Sequence, residues 1–83
     1  MNPQEIKSLI EAGLDGAEAF VDGDGSHFVA RVVSEQFAGL NMVKQHQLVY
    51  ATLGDSVGGA IHALSLQTFT PDDWEKFRRL NPV

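Results

Sequence analysis

One imidazole stands at the head of an apolar run, Ile61-His62-Ala63-Leu64-Ser65-Leu66-Gln67-Thr68-Phe69, which Thr70-Pro71 then stops. Leu64, Leu66 and Thr68 alternate with Ala63, Ser65 and Gln67, the period of a strand. A histidine at a strand entrance combines an ordered backbone with access to solvent, which suits a metal ligand or a partner contact. The chain contains no cysteine, so a disulfide framework, a thiolate zinc site and a cysteine nucleophile are excluded together. Whatever His62 binds must draw its remaining ligands from outside. A second imidazole, His27, follows the turn Gly23-Asp24-Gly25-Ser26. By residue type alone both have an ordinary reading as well, His27 as a solvated turn residue and His62 as a hydrogen-bonding strand end.

The elements that must hold these two residues are legible in outline. Asn2 caps a first helix, with Pro3 at its first position and Glu5 completing a capping box. Ile6, Leu9 and Ile10 share one face of it, and Gly13 suits a left-handed stop. A strand is expected over Ala17 to Asp22, where Phe20 breaks the polar side of the alternation and implies cover on both faces. The Gly23 to Ser26 turn then leads into a second strand, His27 to Val33, and the two form a hairpin. Ser34 to Leu40 is a connection anchored by Phe37. Asn41 caps a helix from Met42 to about Leu53, with Met42, Val49 and Leu53 on one face and Val43 and Tyr50 beside it. Gly54 to Gly59 supplies at most a short helical turn and a bend. The third strand covers about Ile61 to Phe69. Thr70, Pro71, Asp72 and Asp73 open a last helix that carries Trp74, Phe77 and Leu80. The order implies an α+β domain, a three-stranded sheet with helices packed on one face. The helical crossover between the second and third strands implies a right-handed connection.

With 83 residues, 43% of them apolar and 20% charged, the chain is a single small domain of ordinary folded composition. No apolar run approaches the roughly 20 residues of a membrane span. The start, Met1-Asn2-Pro3-Gln4-Glu5, lacks the basic region and apolar block of a signal peptide, so a cytoplasmic protein or a mature organellar form is expected. The formal charge of −5 opposes general binding to nucleic acid. Acids dominate the first 24 residues, whereas Lys76, Arg78 and Arg79 cluster near the other end. Catalysis finds little support. Ser26 and His27 are adjacent and point to opposite sides of an extended strand. Capping explains Asp72 and Asp73, and Gly23-Asp24-Gly25 has no following helix with which to form a phosphate loop. The expectation is a protein that is not an enzyme.

Several segments in order resemble the BolA family: Gly25-Ser26-His27-Phe28, Val33-Ser34-Glu35-Gln36-Phe37-Ala38-Gly39, His46-Gln47-Leu48-Val49-Tyr50, and Ile61-His62-Ala63-Leu64 through Thr70-Pro71. The stretches Gly23 to Phe28 and Trp74 to Asn81 are most similar to its IbaG-like branch. The resemblance runs from the first helix to Asn81 and implies one BolA-like domain over 1–83. It implies an αββααβα fold like a class II KH domain. It also implies a partner, a monothiol glutaredoxin, with which such proteins form a heterodimer sharing a [2Fe-2S] cluster. The family's ligands are a histidine at the start of the last strand and a His or Cys in the hairpin loop, positions that His62 and His27 occupy here. Imidazoles can replace two thiolates on one iron, and the partner's cysteine and glutathione would supply the sulfur. The isolated chain is expected to hold no cluster, and to be a monomer or a weak homodimer.

His46 matches the histidine of the family's Arg-His-x-x-Val-Tyr pattern, but Gln45 replaces the arginine; His46 is read as structural or surface. Tyr50 and Trp74 are expected in the core with their polar edges satisfied. The competing implication of the resemblance is a stress-responsive regulator of transcription that binds DNA through a KH-like surface. KH domains clamp nucleotides with a Gly-x-x-Gly loop. Gly54-Asp55-Ser56-Val57-Gly58 has one residue too many and an acid inside, which leaves Lys44, Lys76, Arg78 and Arg79 as the candidate contacts.

Overall fold

The structure, a computed structural model, describes residues 2–24, 26–54 and 63–81. Helix α1 spans Pro3–Gly13, strands β1 and β2 span Glu18–Gly23 and His27–Val33, and a 3₁₀ turn covers Glu35–Phe37. Helix α2 (Met42–Leu53), strand β3 (Ala63–Phe69) and helix α3 (Pro71–Leu80) complete the described elements. The caps behave as their residue types require. Asn2, Asn41 and Thr70 accept the backbone N–H groups of Glu5, Lys44 and Asp73 at 2.9, 2.9 and 3.2 Å. Beyond Gly54, which caps the C-terminus of α2, the glycine-rich segment expected to turn there and the head of the third strand before Ala63 fall outside the described residues.

β2 is the centre of a mixed sheet in the order β1-β2-β3, antiparallel to β1 and parallel to β3. Phe28, Ala30 and Val32 of β2 are buried on one face, beside Ala19 of β1. Against that face pack Ile6 and Ile10 of α1, Leu14, Phe37, and Val49 and Leu53 of α2. Leu64 and Leu66 join the core from β3, as their alternation requires.

The expectation that all helices cover one face is corrected here. Among the described helices, only α1 and α2 do so. α3 packs on the other face, where Trp74 stacks on Phe20 with ring centroids 5.0 Å apart. Phe69 meets both Trp74 and Phe77, and the Arg31 guanidinium lies 5.2 Å from the Phe77 centroid. Phe20, Arg31 and Phe69 all alternate away from the core, so the sheet presents an aromatic patch that only a helix on that side can cover. Trp74 is thus half-buried in a second, smaller cluster rather than in the main core.

Three further positions differ from the sequence reading. Gly13 ends α1 instead of taking a left-handed turn; a Cβ there would come within 2.9 Å of the Thr52 side chain, so its bareness lets α1 and α2 approach. The left-handed residue is Gly16, at φ +70. Met42 is 69% exposed, although helical spacing places it in line with Val49. The Gln45 amide, one turn further on, donates to the carbonyls of Phe37 and Leu40 at 3.1 and 2.9 Å, so this connection and not Met42 closes that end of the core. Tyr50 is exposed as well.

Candidate functional site

His27 is the first residue of β2 and is exposed. Its neighbour Phe28 points into the core at 1% exposure, so alternation turns the imidazole toward the opposite face, the side on which α3 packs. The preceding turn holds its backbone firmly. Asp24 Oδ1 accepts the N–H groups of Ser26 and His27, each at 2.9 Å, and the Asp24 N–H donates to the His27 carbonyl at 3.2 Å. The His27 and Ser26 amides hold the Asp24 carboxyl below the ordinary aspartate range. Asp24 was legible only as turn composition, and its grip on His27 emerges from the folded loop.

Gly23 completes the support. It pairs with Phe28 across the hairpin, and a Cβ on it would stand 2.5 Å from both the His27 carbonyl oxygen and the Phe28 ring. Only glycine fits between that ring and the strand entrance.

β3 begins opposite this point. Ala63 is the register partner of His27, and the pairing continues through Val29 with Ser65 and Arg31 with Gln67. His62 precedes Ala63 in the chain but lies outside the described residues. The structure therefore places one of the two candidate ligands and the first residue of the strand that follows the other. A donor set of imidazoles without thiolate fits half of a shared iron–sulfur site and no self-sufficient one. Among the described residues, no group of three or more His, Asp or Glu side chains is close enough to hold a metal ion.

A shallow concavity of about 700 Å³ surrounds His27 on this face, lined also by Phe20, Asp22, Asp24, Val29 and Arg31. Val29 and Phe20 are 45% and 40% exposed there. Arg31 is held across the strands, its Nε donating to Gln67 Oε1 at 2.9 Å. His46 is remote from this arrangement, half-buried on α2 against the core side of the sheet.

The cations of the nucleic-acid reading are not one patch. Lys44 is on α2 and Lys76, Arg78 and Arg79 are on α3, with the sheet between the two helices. Glu75 lies 3.6 Å from Arg78 and 3.8 Å from Arg79, which offsets part of the α3 charge. Among the described residues, no helix is long and apolar enough to cross a membrane.

A family model described as BolA-like protein matches residues 6–73. The chain is 40% identical over 98% of its length to a protein of Escherichia coli strain K12 named acid stress protein IbaG, 98% of which is covered. It is 45% identical over 96% of its length to a Vibrio cholerae protein named DNA-binding transcriptional regulator BolA, with 73% of that protein covered. Among solved structures, a bolA protein homologue from Coxiella burnetii superposes with a TM-score of 0.83 at 42% identity, covering 90% of this chain and 97% of that one.

Proposed function

Because the chain belongs to the BolA family, we propose that it works with a monothiol glutaredoxin in iron–sulfur cluster assembly, trafficking or iron sensing, co-ligating a shared [2Fe-2S] cluster through His27 and His62. The observation that carries this reading is the presentation of His27. His27 is exposed at a strand entrance, its backbone N–H and carbonyl both hydrogen-bonded to Asp24, and its register partner Ala63 directly follows His62 in the chain. Fixing the backbone removes much of the conformational cost of ligation, since little beyond the imidazole rotamer is left to order. The chain has no thiol, so the partner's cysteine and glutathione supply the sulfur ligands. When bound, the cluster would supply electron-transfer or sulfide-transfer chemistry; this chain's own part is to present neutral imidazoles. Protonated histidine cannot ligate, so the association weakens in acid. The protein acts as a binding partner and not as an enzyme.

The test is reconstitution with a monothiol glutaredoxin, glutathione, iron and sulfide, followed by visible circular dichroism. The mixed complex gives a spectrum distinct from that of the glutaredoxin homodimer, and His62→Ala or His27→Ala removes the difference. An unchanged spectrum in both variants refutes the ligand assignment.

A second reading is supported by the Vibrio relative's name, binding to DNA through the α3 cations Lys76, Arg78 and Arg79, with Lys44 as a separate contact. Neutralising the three α3 cations together then abolishes a salt-dependent gel shift. Absence of any shift for the wild-type protein at low salt retires this reading.

A further inference from the structure

Asp22-Gly23-Asp24-Gly25 contains two Asp-Gly steps, and Asp15-Gly16 is a third. At such a step the glycine amide nitrogen can close on the aspartate Cγ. No side chain shields that nitrogen, and glycine torsions are the least restricted. The three steps are alike in sequence, and the fold makes them different. We propose that Asp22 is a site of spontaneous isomerisation to isoaspartate, selected from the three because its carboxylate lies against the outward-facing Gly23 N–H.

Asp22 Oδ1 accepts the Gly23 N–H at 2.8 Å, so the carboxyl already touches the attacking nitrogen. That N–H is also outside the sheet ladder. An antiparallel strand turns its successive N–H groups alternately toward its partner and away from it. The Asp24 N–H meets the His27 carbonyl across the hairpin, so the Gly23 N–H faces the free edge of β1. Ala19 has the same parity, and its N–H likewise leaves the sheet to meet Glu11. Asp22 and Gly23 are both exposed to the water that the reaction releases and consumes. Asp24 is placed differently. Its Oδ1 accepts the Ser26 and His27 N–H groups, which hold the carboxyl in the ionised form that does not expel water. Asp15 gives its carbonyl to the Gln36 amide, and among the described residues no hydrogen bond joins its carboxylate to Gly16.

The reaction balances with water alone. The Gly23 nitrogen loses its proton and bonds to Cγ of the neutral Asp22 carboxyl, whose hydroxyl leaves as water, closing a succinimide. Water then adds at the former main-chain carbonyl of Asp22 and breaks its bond to the Gly23 nitrogen. The main chain afterwards runs through Cβ and Cγ, one methylene longer, with the new carboxylate on Cα. The corner has no room for that methylene, since even a Cβ on Gly23 would stand 2.5 Å from the His27 carbonyl oxygen. Isomerisation therefore displaces the turn that holds His27.

The test ages the folded protein, and the same protein in denaturant, in mildly acidic heavy-oxygen water. Electron-transfer fragmentation of the digests locates isoaspartate, and the heavy oxygen marks passage through the succinimide. In denaturant the three steps are expected to react comparably. In the folded protein Asp22 is expected to accumulate several-fold more labelled isoaspartate than Asp15 or Asp24. The isomerised fraction should show faster amide exchange at Ser26 and His27. Asp22→Glu, which would have to close a larger ring, should lose the label at this position and keep the wild-type melting temperature. Labelled isoaspartate in the folded protein mainly at Asp15 or Asp24, in the same proportions as in denaturant, or absent from Asp22, overturns the proposal.

Discussion

Asp24 holds the backbone of His27 at both of its polar groups: the carboxylate accepts the His27 N–H at 2.9 Å, and the Asp24 N–H donates to the His27 carbonyl at 3.2 Å. The imidazole is thereby carried on a fixed stub although the residue itself is exposed. Asp24→Ala keeps the backbone bond and removes the carboxylate. The expected result is faster amide hydrogen exchange at Ser26 and His27 and weaker assembly of the mixed cluster complex, with little change in melting temperature. Asp24→Asn retains an acceptor oxygen and should behave close to wild type. Equal exchange rates in Asp24→Ala and wild type would show that the turn does not depend on this side chain.

Gly23 tests the same corner by packing. A Cβ would collide with the His27 carbonyl oxygen and with the Phe28 ring, itself one of the buried core residues. Gly23→Ala is therefore expected to destabilise the protein by about 1–3 kcal/mol in denaturant unfolding, the usual cost of overpacking a closed contact. It should also shift the His27 amide resonance. A midpoint equal to that of the wild type contradicts the close approach.

An ion pair from α1 caps the free edge of β1 at Ala19. Lys7 Nζ contacts Glu11 Oε2 at 2.8 Å and the Ala19 carbonyl at 2.6 Å, and the same Glu11 oxygen accepts the Ala19 N–H at 3.1 Å. The Lys7 side chain, followed by the Ala19 amide, holds the Glu11 carboxyl below its ordinary value. A lowered folded pKa stabilises the fold at pH values above the unfolded one and loses that contribution as pH falls through the folded one. The pair is about one-third exposed, so its worth is under about 1 kcal/mol. Glu11→Gln should thus reduce stability by a constant small amount near neutral pH, and the difference should vanish in acid. A difference that grows on acidification has the wrong sign and rejects the assignment.

Gln45 joins three parts of the chain. Its amide nitrogen donates to the Phe37 and Leu40 carbonyls, and its oxygen accepts the Thr68 hydroxyl at 2.6 Å. Gln45→Ala leaves these partly buried partners without a bond, and a loss of about 1–3 kcal/mol is expected by denaturant unfolding. Thr68→Val removes one of the three bonds and should cost less. A Gln45→Ala protein as stable as wild type would mean that water replaces the amide without loss.

Much of the fold was readable locally. The bounds of α2 and β2, all three helix caps, and the burial of Ile6, Ile10, Phe37, Val49 and Leu53 follow from residue type and period. So does the placement of His27 at a strand entrance after a glycine-rich turn. The site was less legible, because its support is made by residues whose signals were ambiguous. Asp24 reads as turn composition whether or not it grips His27. Gln45 reads as a departure from a family pattern until Phe37, Leu40 and Thr68 are seen around it. Gly13 has the composition of a helix stop, yet its use is to admit Thr52 from another helix.

The sequence by itself determined the order of elements, the residues that cap the helices, and which residues of each strand share a face, because caps act within one turn and alternation within one strand. Only the tertiary structure decided that α3 lies across the sheet from α1 and α2. The aromatic side chains of Phe20, Phe69, Trp74 and Phe77 come from three separate segments, and they identify a second apolar layer only once strand pairing has aligned them. That same placement separates Lys44 from the α3 cations and leaves His27 and Val29 in an open concavity. Local free energies select the elements, whereas burial shared between distant segments selects the face on which each one packs.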